Sequence, residues 1–113
     1  MFVTFEQNNS GGYLLEDKEY GIGSYVIVEV DTIKEAMKKL NQIADNYDES
    51  QTEHSFYGYC ECCGDRWNTC YKDNCDLFDV PSIDEVPITE YKWFGSGYIH
   101  YKSGEIKYFQ TRE

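Results

Sequence analysis

The sequence predicts an α+β domain, in which an antiparallel sheet of about four strands is covered on one face by one main amphipathic helix. Three features of the chain predict it: a short apolar strand, an amphipathic helix directly after that strand, and a hairpin pattern near the C-terminus. A chain of 113 residues builds one hydrophobic core, so we expect a single domain over residues 1–113. A Cys-rich loop at about residues 56–80 is expected as an insertion in that domain.

The strand and the helix are the clearest elements in the sequence. Tyr25 to Val30 is rich in β-branched residues, which favour a strand. Thr32 and Glu35 then stand at the spacing of a capping box, which marks the start of a helix. Beyond them, apolar residues recur at the three- and four-residue steps of one helical face, up to an expected end near Asn46. The stripe consists of Ile33, Ala36, Met37, Leu40, Ile43, Ala44 and Tyr47.

The C-terminal hairpin is predicted from alternating residues on both sides of a Ser-Gly turn. A two-residue turn at 103–104 would fix the register of the two strands. His100 then faces away from the core, opposite Lys107. The same register places four residues on the core face: Ile99, Tyr101, Ile106 and Tyr108.

The charge of the chain indicates which partners it can bind. The net charge is −11, from 21 acidic and 10 basic residues, and such a surface repels phosphate backbones. We therefore expect no direct binding of nucleic acid and instead expect a protein partner with a basic surface. Seven acidic residues in predicted loops and linkers are candidate contact residues, the first three above all: Glu16, Asp17, Glu19, Asp48, Glu49, Asp84 and Glu85.

The sequence also indicates where the protein resides. Met1 to Thr4 lacks the basic and apolar regions of a secretory signal. The longest strongly apolar run, Tyr25 to Val28, is too short to cross a membrane. We expect a cytoplasmic protein without a membrane contact, and the sequence does not indicate its oligomeric state.

The cysteines predict a structural zinc site. All five lie within residues 60–75, and Cys60-x-x-Cys63-Gly has the form of a metal knuckle, in which two thiolates bind one ion. Cys70 and Cys75 would complete the tetrahedron, although their spacing is looser than that of a knuckle. Thiols stay reduced in the cytosol, which favours a metal over disulfides.

Three alternatives to that ligand set remain open. A different set would combine Cys60, Cys62 and Cys63 with His54 or Cys75, but adjacent thiolates on one ion strain the backbone. The cysteines could also be free thiols that pack as small apolar groups, or disulfides.

Asp65, Arg66 and Trp67 follow the knuckle and form a candidate contact patch, since Arg and Trp often anchor interfaces. The structural alternative is that Trp67 covers the cysteine cluster while Arg66 pairs with Asp65 or another carboxylate. The sequence contains no catalytic constellation that we recognise: His54 is followed by Ser and Phe, so the His-x-Glu of zinc deaminases is missing.

Several stretches of the chain resemble a family of small, uncharacterised proteins of tailed bacteriophages. They are residues 8–12, residues 25–31 with the following helix, Cys60-x-Cys62-Cys63-Gly64-Asp65-Arg66-Trp67, and the Gly-Tyr-x-x-Tyr of residues 97–101. The cysteine motif is the most specific of them, and Cys70 and Cys75 lie outside it. The resemblance implies a phage origin and the host cytoplasm, and it implies no catalytic residues.

The leading hypothesis is therefore a small acidic phage accessory protein, a non-enzymatic binding module for a host protein with a basic surface. In its sharper form, the protein inhibits a host defence protein or a nucleic-acid-handling protein. The alternative is a protein that binds or hydrolyses a small molecule such as a nucleotide signal, using tyrosines and the loop at residues 8–12. A deep pocket with inward polar groups would favour the alternative, and a flat or convex acidic face the leading hypothesis.

Overall fold

The computed structural model describes residues 1–8, 14–50, 55–60, 64–68 and 75–111. Within them the chain has the predicted α+β architecture, with one helix, a four-stranded sheet and two short ribbons. The helix of this described part is too short and too polar to span a bilayer. In chain order the elements are β1 (Phe2–Glu6), β2 (Tyr25–Glu29), α1 (Ile33–Glu49), β3 (Tyr59–Cys60), β4 (Gly64–Asp65), β5 (Ser82–Ile83), β6 (Val86–Pro87), β7 (Ser96–His100) and β8 (Ile106–Gln110).

The main sheet has the strand order β1-β2-β7-β8 and is mixed, where the sequence predicted an antiparallel sheet. β1 pairs with β2, and β7 with β8, in antiparallel fashion, whereas the central pair β2 and β7 is parallel. The physical reason lies in the connection between β2 and β7, which contains α1 and a long stretch of chain. A connection of that length carries the chain back to the end of the sheet where β2 began, as a parallel pair requires.

The central strand β2 is buried on both faces, so the sheet has a core on each side. Val26 and Val28 belong to the core beneath the helix, together with Leu40. Ile27 points to the opposite face, where it packs with Ile83 and the partly buried Ile88 and Tyr91. A near-continuous apolar run is typical of a strand covered on both faces. The buried residues of the second core are Phe2, Ile27, Ile83, Ile99 and Phe109.

The helix begins as predicted and ends later than predicted. Thr32 is the N-cap, and its Oγ1 accepts the backbone N–H of Glu35 at 3.1 Å. The helix runs to Glu49, beyond the expected end near Asn46, because the N–H of Ser50 caps the carbonyl of Tyr47 at 3.0 Å. The buried residues of α1 confirm the predicted stripe, and they are Ala36, Leu40, Ile43, Ala44 and Tyr47.

The C-terminal hairpin differs from the prediction by one residue in its register. β7 and β8 pair Tyr98 with Tyr108, because the connection spans residues 101–105 and is longer than a two-residue turn. A shift of one residue moves every β8 side chain to the other face of the sheet. Phe109 is therefore in the core, while Ile106 and Tyr108 are 43% and 51% exposed. The predicted core face of β8 is wrong.

His100 lies between the sheet and the loop that precedes β2, where the sequence had placed it facing away from the core. It is buried, and its Nε2–H donates to the carbonyl oxygen of Gly21 at 2.8 Å. Gly21 has a φ of +69°, and an added Cβ there would lie 2.6 Å from His100 Nε2. Glycine therefore suits this position both for its backbone conformation and for the close approach of the imidazole.

Candidate binding surfaces

Trp67 is part of the core and does not form an exposed contact patch. It is 2% exposed, and its indole stacks on Phe56 with ring centroids 4.8 Å apart. Its Nε1–H donates to the carbonyl oxygen of Phe56 at 3.0 Å. Its backbone forms a bridge with Gln7 at the end of β1. This burial favours the structural role of Trp67 over that of an interface anchor.

Arg66 is also buried, at 3% exposure. Its backbone N–H donates to the carbonyl oxygen of Gly58 at 2.8 Å, and its own carbonyl accepts the N–H of Asn8 at 2.7 Å. Its guanidinium lies so close to Gly58 that an added Cβ there would be 2.7 Å from Nη2. Arg66 therefore joins the β3–β4 ribbon to the body of the domain, while its neighbour Asp65 remains exposed.

Gln7 connects Arg66 to the rest of the fold, and sequence reasoning missed it. Its Nε2 donates to the carbonyl oxygens of Leu15 and Gly23, both at 2.9 Å. Its Oε1 accepts the N–H of Leu15 at 2.5 Å and lies 3.4 Å from Arg66 Nη1. A buried amide is tolerated when its donors and acceptor are all used. A glutamine at the end of a strand gives no sequence signal of that role.

A cavity of about 290 Å³ adjoins this cluster and is lined by Arg66, Trp67, Tyr57 and Asn41, among other residues. Its volume is at the low end for a ligand site, which usually measures roughly 300–1,000 Å³. Tyr57 uses its hydroxyl within the protein, donating to Asn41 Oδ1 at 2.5 Å. The small-molecule alternative also relies on the loop at residues 8–12, of which residues 9–12 lie outside the described part of the chain, so that alternative stays a prediction.

The predicted zinc site falls largely outside the described residues. The side chains of Cys60, Cys63 and Cys70 lie outside them, as do Cys62 and His54. Cys75 is disulfide-bonded, so its sulfur is not the thiolate that zinc binds. Within the described part of the chain, no group of three or more His, Cys, Asp or Glu residues could hold a metal. The zinc site stays a prediction.

The three acidic residues 16, 17 and 19 form a turn, which we call the acidic turn. Asp17 has a structural role, because its Oδ1 accepts the N–H of Glu19 at 2.9 Å. Glu16 and Glu19 are exposed. Glu16 and Asp17 line a cavity of about 320 Å³ together with Tyr98 and Tyr108 of the C-terminal hairpin. Burial, Tyr108 and the two carboxylates raise the pKa of Tyr98 above its usual value.

A second acidic surface, which we call the acidic cleft, lies at the opposite edge of the sheet. Four carboxylates line this cavity of about 380 Å³. Its described lining residues include neither lysine nor arginine, so within the described part of the chain they carry no positive charge to offset these carboxylates. The sequence suggested two of the four as contact residues, but it missed the one in β1 and the one after the cysteine segment. The four are Glu6, Asp76, Asp84 and Glu85.

Within the acidic cleft, the charge of Asp84 acts on Glu6. Partial burial and the charge of Asp84 raise the pKa of Glu6 above its ordinary value. Burial, Glu6 and Asp84 are among the causes that raise the pKa of Tyr25 at the same site. Like charges that converge in this way disfavour each other's ionised form. The cleft is therefore a region of concentrated negative potential.

The β5–β6 hairpin presents two of these carboxylates on an unusual backbone. Asp84 and Glu85 form its turn and both have positive φ, 51° and 70°. This is the backbone of a type I′ turn, which Asn and Gly adopt more easily than Glu. Each such residue costs about 1–2 kcal/mol when it carries a Cβ. The turn directs both residues to the cleft despite that cost.

Comparison with known proteins places the chain in a family. No curated protein and no solved structure matches it. One family model does match, and it extends over residues 1–113, the whole of the chain. The described fold, with its buried Arg66 and Trp67 and its two acidic surfaces, is thus the fold of one member of this family. The protein belongs to the family described as Domain of unknown function (DUF7296).

Proposed function

We propose that this protein is a phage accessory protein of the host cytoplasm that binds a host protein through a basic surface of that partner. The acidic cleft is the observation that supports the proposal best. Its four carboxylates line one cavity with no lysine or arginine among the described lining residues, and partial burial together with the charge of Asp84 raises the pKa of Glu6. A lysine or arginine of a partner would offset the negative charge of these carboxylates. Binding of a basic partner is therefore favoured at the acidic cleft.

The class of partner follows from the charge of the whole chain. A surface with a net charge of −11 attracts proteins that normally bind nucleic acid. The reason is that this protein and a phosphate backbone both present concentrated negative charge to a basic surface. A host defence protein or nucleic-acid-handling protein has such a basic surface. The protein would then act as an inhibitor that occupies this surface. The phage origin is supported by the resemblance of the cysteine motif.

The proposed function needs no catalytic group and no cofactor at the acidic cleft. For the cysteine segment we propose a separate, structural role, in which the reduced protein holds zinc through Cys60, Cys63, Cys70 and Cys75. The disulfide at Cys75 then represents an oxidised state that excludes the metal, because only thiolates bind zinc. Binding of the partner does not depend on this second proposal.

The experiment that tests the proposed function is capture of host proteins by three forms of the chain. The first is the natural sequence, and the second carries Glu6→Gln, Asp76→Asn and Asp84→Asn in the cleft. The third is a control with the same change of charge at exposed positions outside the cleft and outside the candidate contact residues: Asp45→Asn, Glu90→Gln and Glu105→Gln.

We expect the natural chain and the control chain to capture one basic host protein, and we expect the cleft variant not to capture it. Neutralising three partly exposed carboxylates should weaken the affinity by about tenfold or more, at up to about 1 kcal/mol for each contact. Equal capture by all three chains, or capture that depends on nucleic acid, would overturn the proposal.

A further inference from the structure

The strand β8 lies at an edge of the sheet, and its hydrogen bonding shows which backbone groups point outward. The N–H of Thr111 donates to the carbonyl of Gly95 at 2.8 Å, and that of Tyr101 donates to Glu105 at 2.9 Å. In an antiparallel pair such hydrogen-bonded positions alternate with positions whose N–H and C=O point away from the neighbouring strand. The outward residues of β8 are therefore Ile106, Tyr108 and Gln110.

The two edges of the sheet differ in how they are covered. β1 forms bridges with Phe78 and Trp67 along its outer side. β8 pairs with β7 only, and within the described part of the chain no hydrogen bond reaches its outer edge. An edge of this kind is a template for another strand. β8 is thus the available edge of the described fold.

The side chains of β8 add apolar surface to this edge. Ile106 and Tyr108 lie on the face of the sheet that carries the helix, and they are 43% and 51% exposed. Lys107 points to the other face, since side chains alternate along a strand. A charged residue often protects an edge strand from pairing, but here it lies on the face away from the acidic turn.

The acidic turn determines which strand would fit beside β8. Glu16 and Asp17 share a cavity with Tyr98 and Tyr108, and Lys18 is the one basic residue among its described lining residues, so that lining keeps a net negative charge. Tyr108 is also the central outward residue of β8. A strand added to this edge would place every second side chain on the same face as Tyr108, near these carboxylates. Lysine or arginine at those alternate positions would be complementary in charge.

We propose that β8 is a docking strand, and that an extended segment of a partner adds to it as a fifth strand. The segment carries Lys or Arg at alternate positions that face Glu16 and Asp17. The basic character of this partner rests on the proposed function, whereas the strand addition rests on the geometry of β8. Main-chain hydrogen bonds supply affinity in this mode of recognition, and alternate side chains supply specificity.

A second copy of the chain fits the same edge less well. A symmetric antiparallel pairing that uses all three outward residues would set Tyr108 against Tyr108 of the other copy. It would also bring the two acidic turns toward each other, in a dimer whose copies each have a net charge of −11. Like charges placed opposite each other oppose such pairing.

The test uses a synthetic peptide that alternates lysine with valine, added to the full chain. Amide hydrogen exchange is then followed by NMR at the outward residues Ile106, Tyr108 and Gln110. We expect exchange at these amides to slow by about tenfold or more when the peptide is bound, since each amide gains a hydrogen bond. The amides of Lys107 and Phe109 point toward β7 and serve as the internal control, with little change expected.

Two variants test the charge complementarity. Glu16→Lys should weaken binding of the peptide by about fivefold, as expected for a partly exposed pair. Glu90→Lys makes the same change of charge at an exposed position outside the acidic turn and outside the cavity shared with Tyr108, and it should leave the affinity nearly unchanged. Equal effects of the two variants would contradict the register that we propose.

The outcomes separate this inference from the proposed function. Failure of the peptide to bind, or binding without protection of the three outward amides, would overturn the docking strand. Protection of those amides in the protein alone, rising with its concentration, would assign the edge to a second copy and also overturn it. In each case the proposed function would still be decided by the cleft variant and its control, because the acidic cleft lies at the opposite edge of the sheet.

Discussion

At the scale of single residues, the described part of the chain is held together by a few buried polar groups. Gln7 joins β1 to the following loop through two bonds of 2.9 Å, and His100 joins that loop to β7. Arg66 joins the β3–β4 ribbon to the same region. These side chains add polar bonds to a loop whose Leu15 and Ile22 are already buried in the core. Removing one of them would leave buried partners unsatisfied.

His100 gives a prediction for the dependence of stability on pH. Burial lowers its pKa in the folded protein, which outweighs the effect of the bond to Gly21, while nearby Lys39 lowers it further. The unfolded chain, with a histidine pKa of about 6.5, binds the proton more readily. The contribution of His100 to stability is therefore complete above about pH 6.5 and is lost as the pH falls toward the lower folded value.

Urea unfolding of the natural chain and of His100→Gln between pH 5 and pH 8 measures this effect, where glutamine retains an N–H for Gly21. We expect the natural chain to lose stability below about pH 6.5, and the variant to lose less over the same interval. If the free energy of unfolding changes with pH in the same way for both proteins, then the pKa of His100 does not differ between the folded and the unfolded chain, which would contradict this prediction.

At the scale of elements, the sequence predicted those whose pattern is local. The strand around Val26 and the stripe of the helix follow from residue type and period. The register of the hairpin did not follow, because it depends on the length of the connection at 101–105. The parallel pairing of β2 and β7 depends on the long path between them, which no local pattern encodes.

The difference between local patterns and contacts of distant segments also explains which candidate sites could be predicted from the sequence. The acidic turn was found because its residues are neighbours in the chain. The acidic cleft was only partly found, because Glu6 and Asp84 are brought together by the pairing of distant segments. Arg66 and Trp67 attracted attention as interface residues, and only the fold shows that both are buried.

The hairpin register yields a prediction at this scale. Phe109 is buried and Tyr108 is exposed, the reverse of what the two-residue turn would give for Tyr108. Phe109→Ala should lower the free energy of unfolding by about 3–5 kcal/mol, as for other buried aromatics. Tyr108→Ala should lower it by less than about 1 kcal/mol. Chemical denaturation of the two variants measures the difference. A larger loss of unfolding free energy for Tyr108→Ala than for Phe109→Ala would contradict the observed register and support the two-residue turn.

The cysteine segment yields a second prediction at this scale. Protein purified under reducing conditions should hold about one equivalent of zinc, and chelation should unfold the segment, since structural zinc contributes on the order of 10 kcal/mol. Cys63→Ser should lose the metal, whereas Cys62→Ser should retain it as a matched control. Elemental analysis decides this, and a metal-free, folded protein with reactive thiols would end the zinc proposal.

At the scale of the whole molecule, the described sheet has two unlike edges. The β1 edge adjoins the acidic cleft, where four carboxylates converge. The β8 edge is open and adjoins the acidic turn. Exposed negative charge acts at long range and speeds encounter with a basic partner, while contacts at short range determine how long the complex lasts.

The central claim is that the acidic cleft binds a basic protein. Its most direct test is the association rate constant of the captured partner, measured by stopped-flow over a series of salt concentrations. The account predicts that association slows as salt screens the attraction over about 8–10 Å. It also predicts that the triple cleft variant associates about tenfold more slowly, while dissociation changes less and the control variant resembles the natural chain. An association rate that is insensitive to salt and unchanged in the cleft variant would contradict the account.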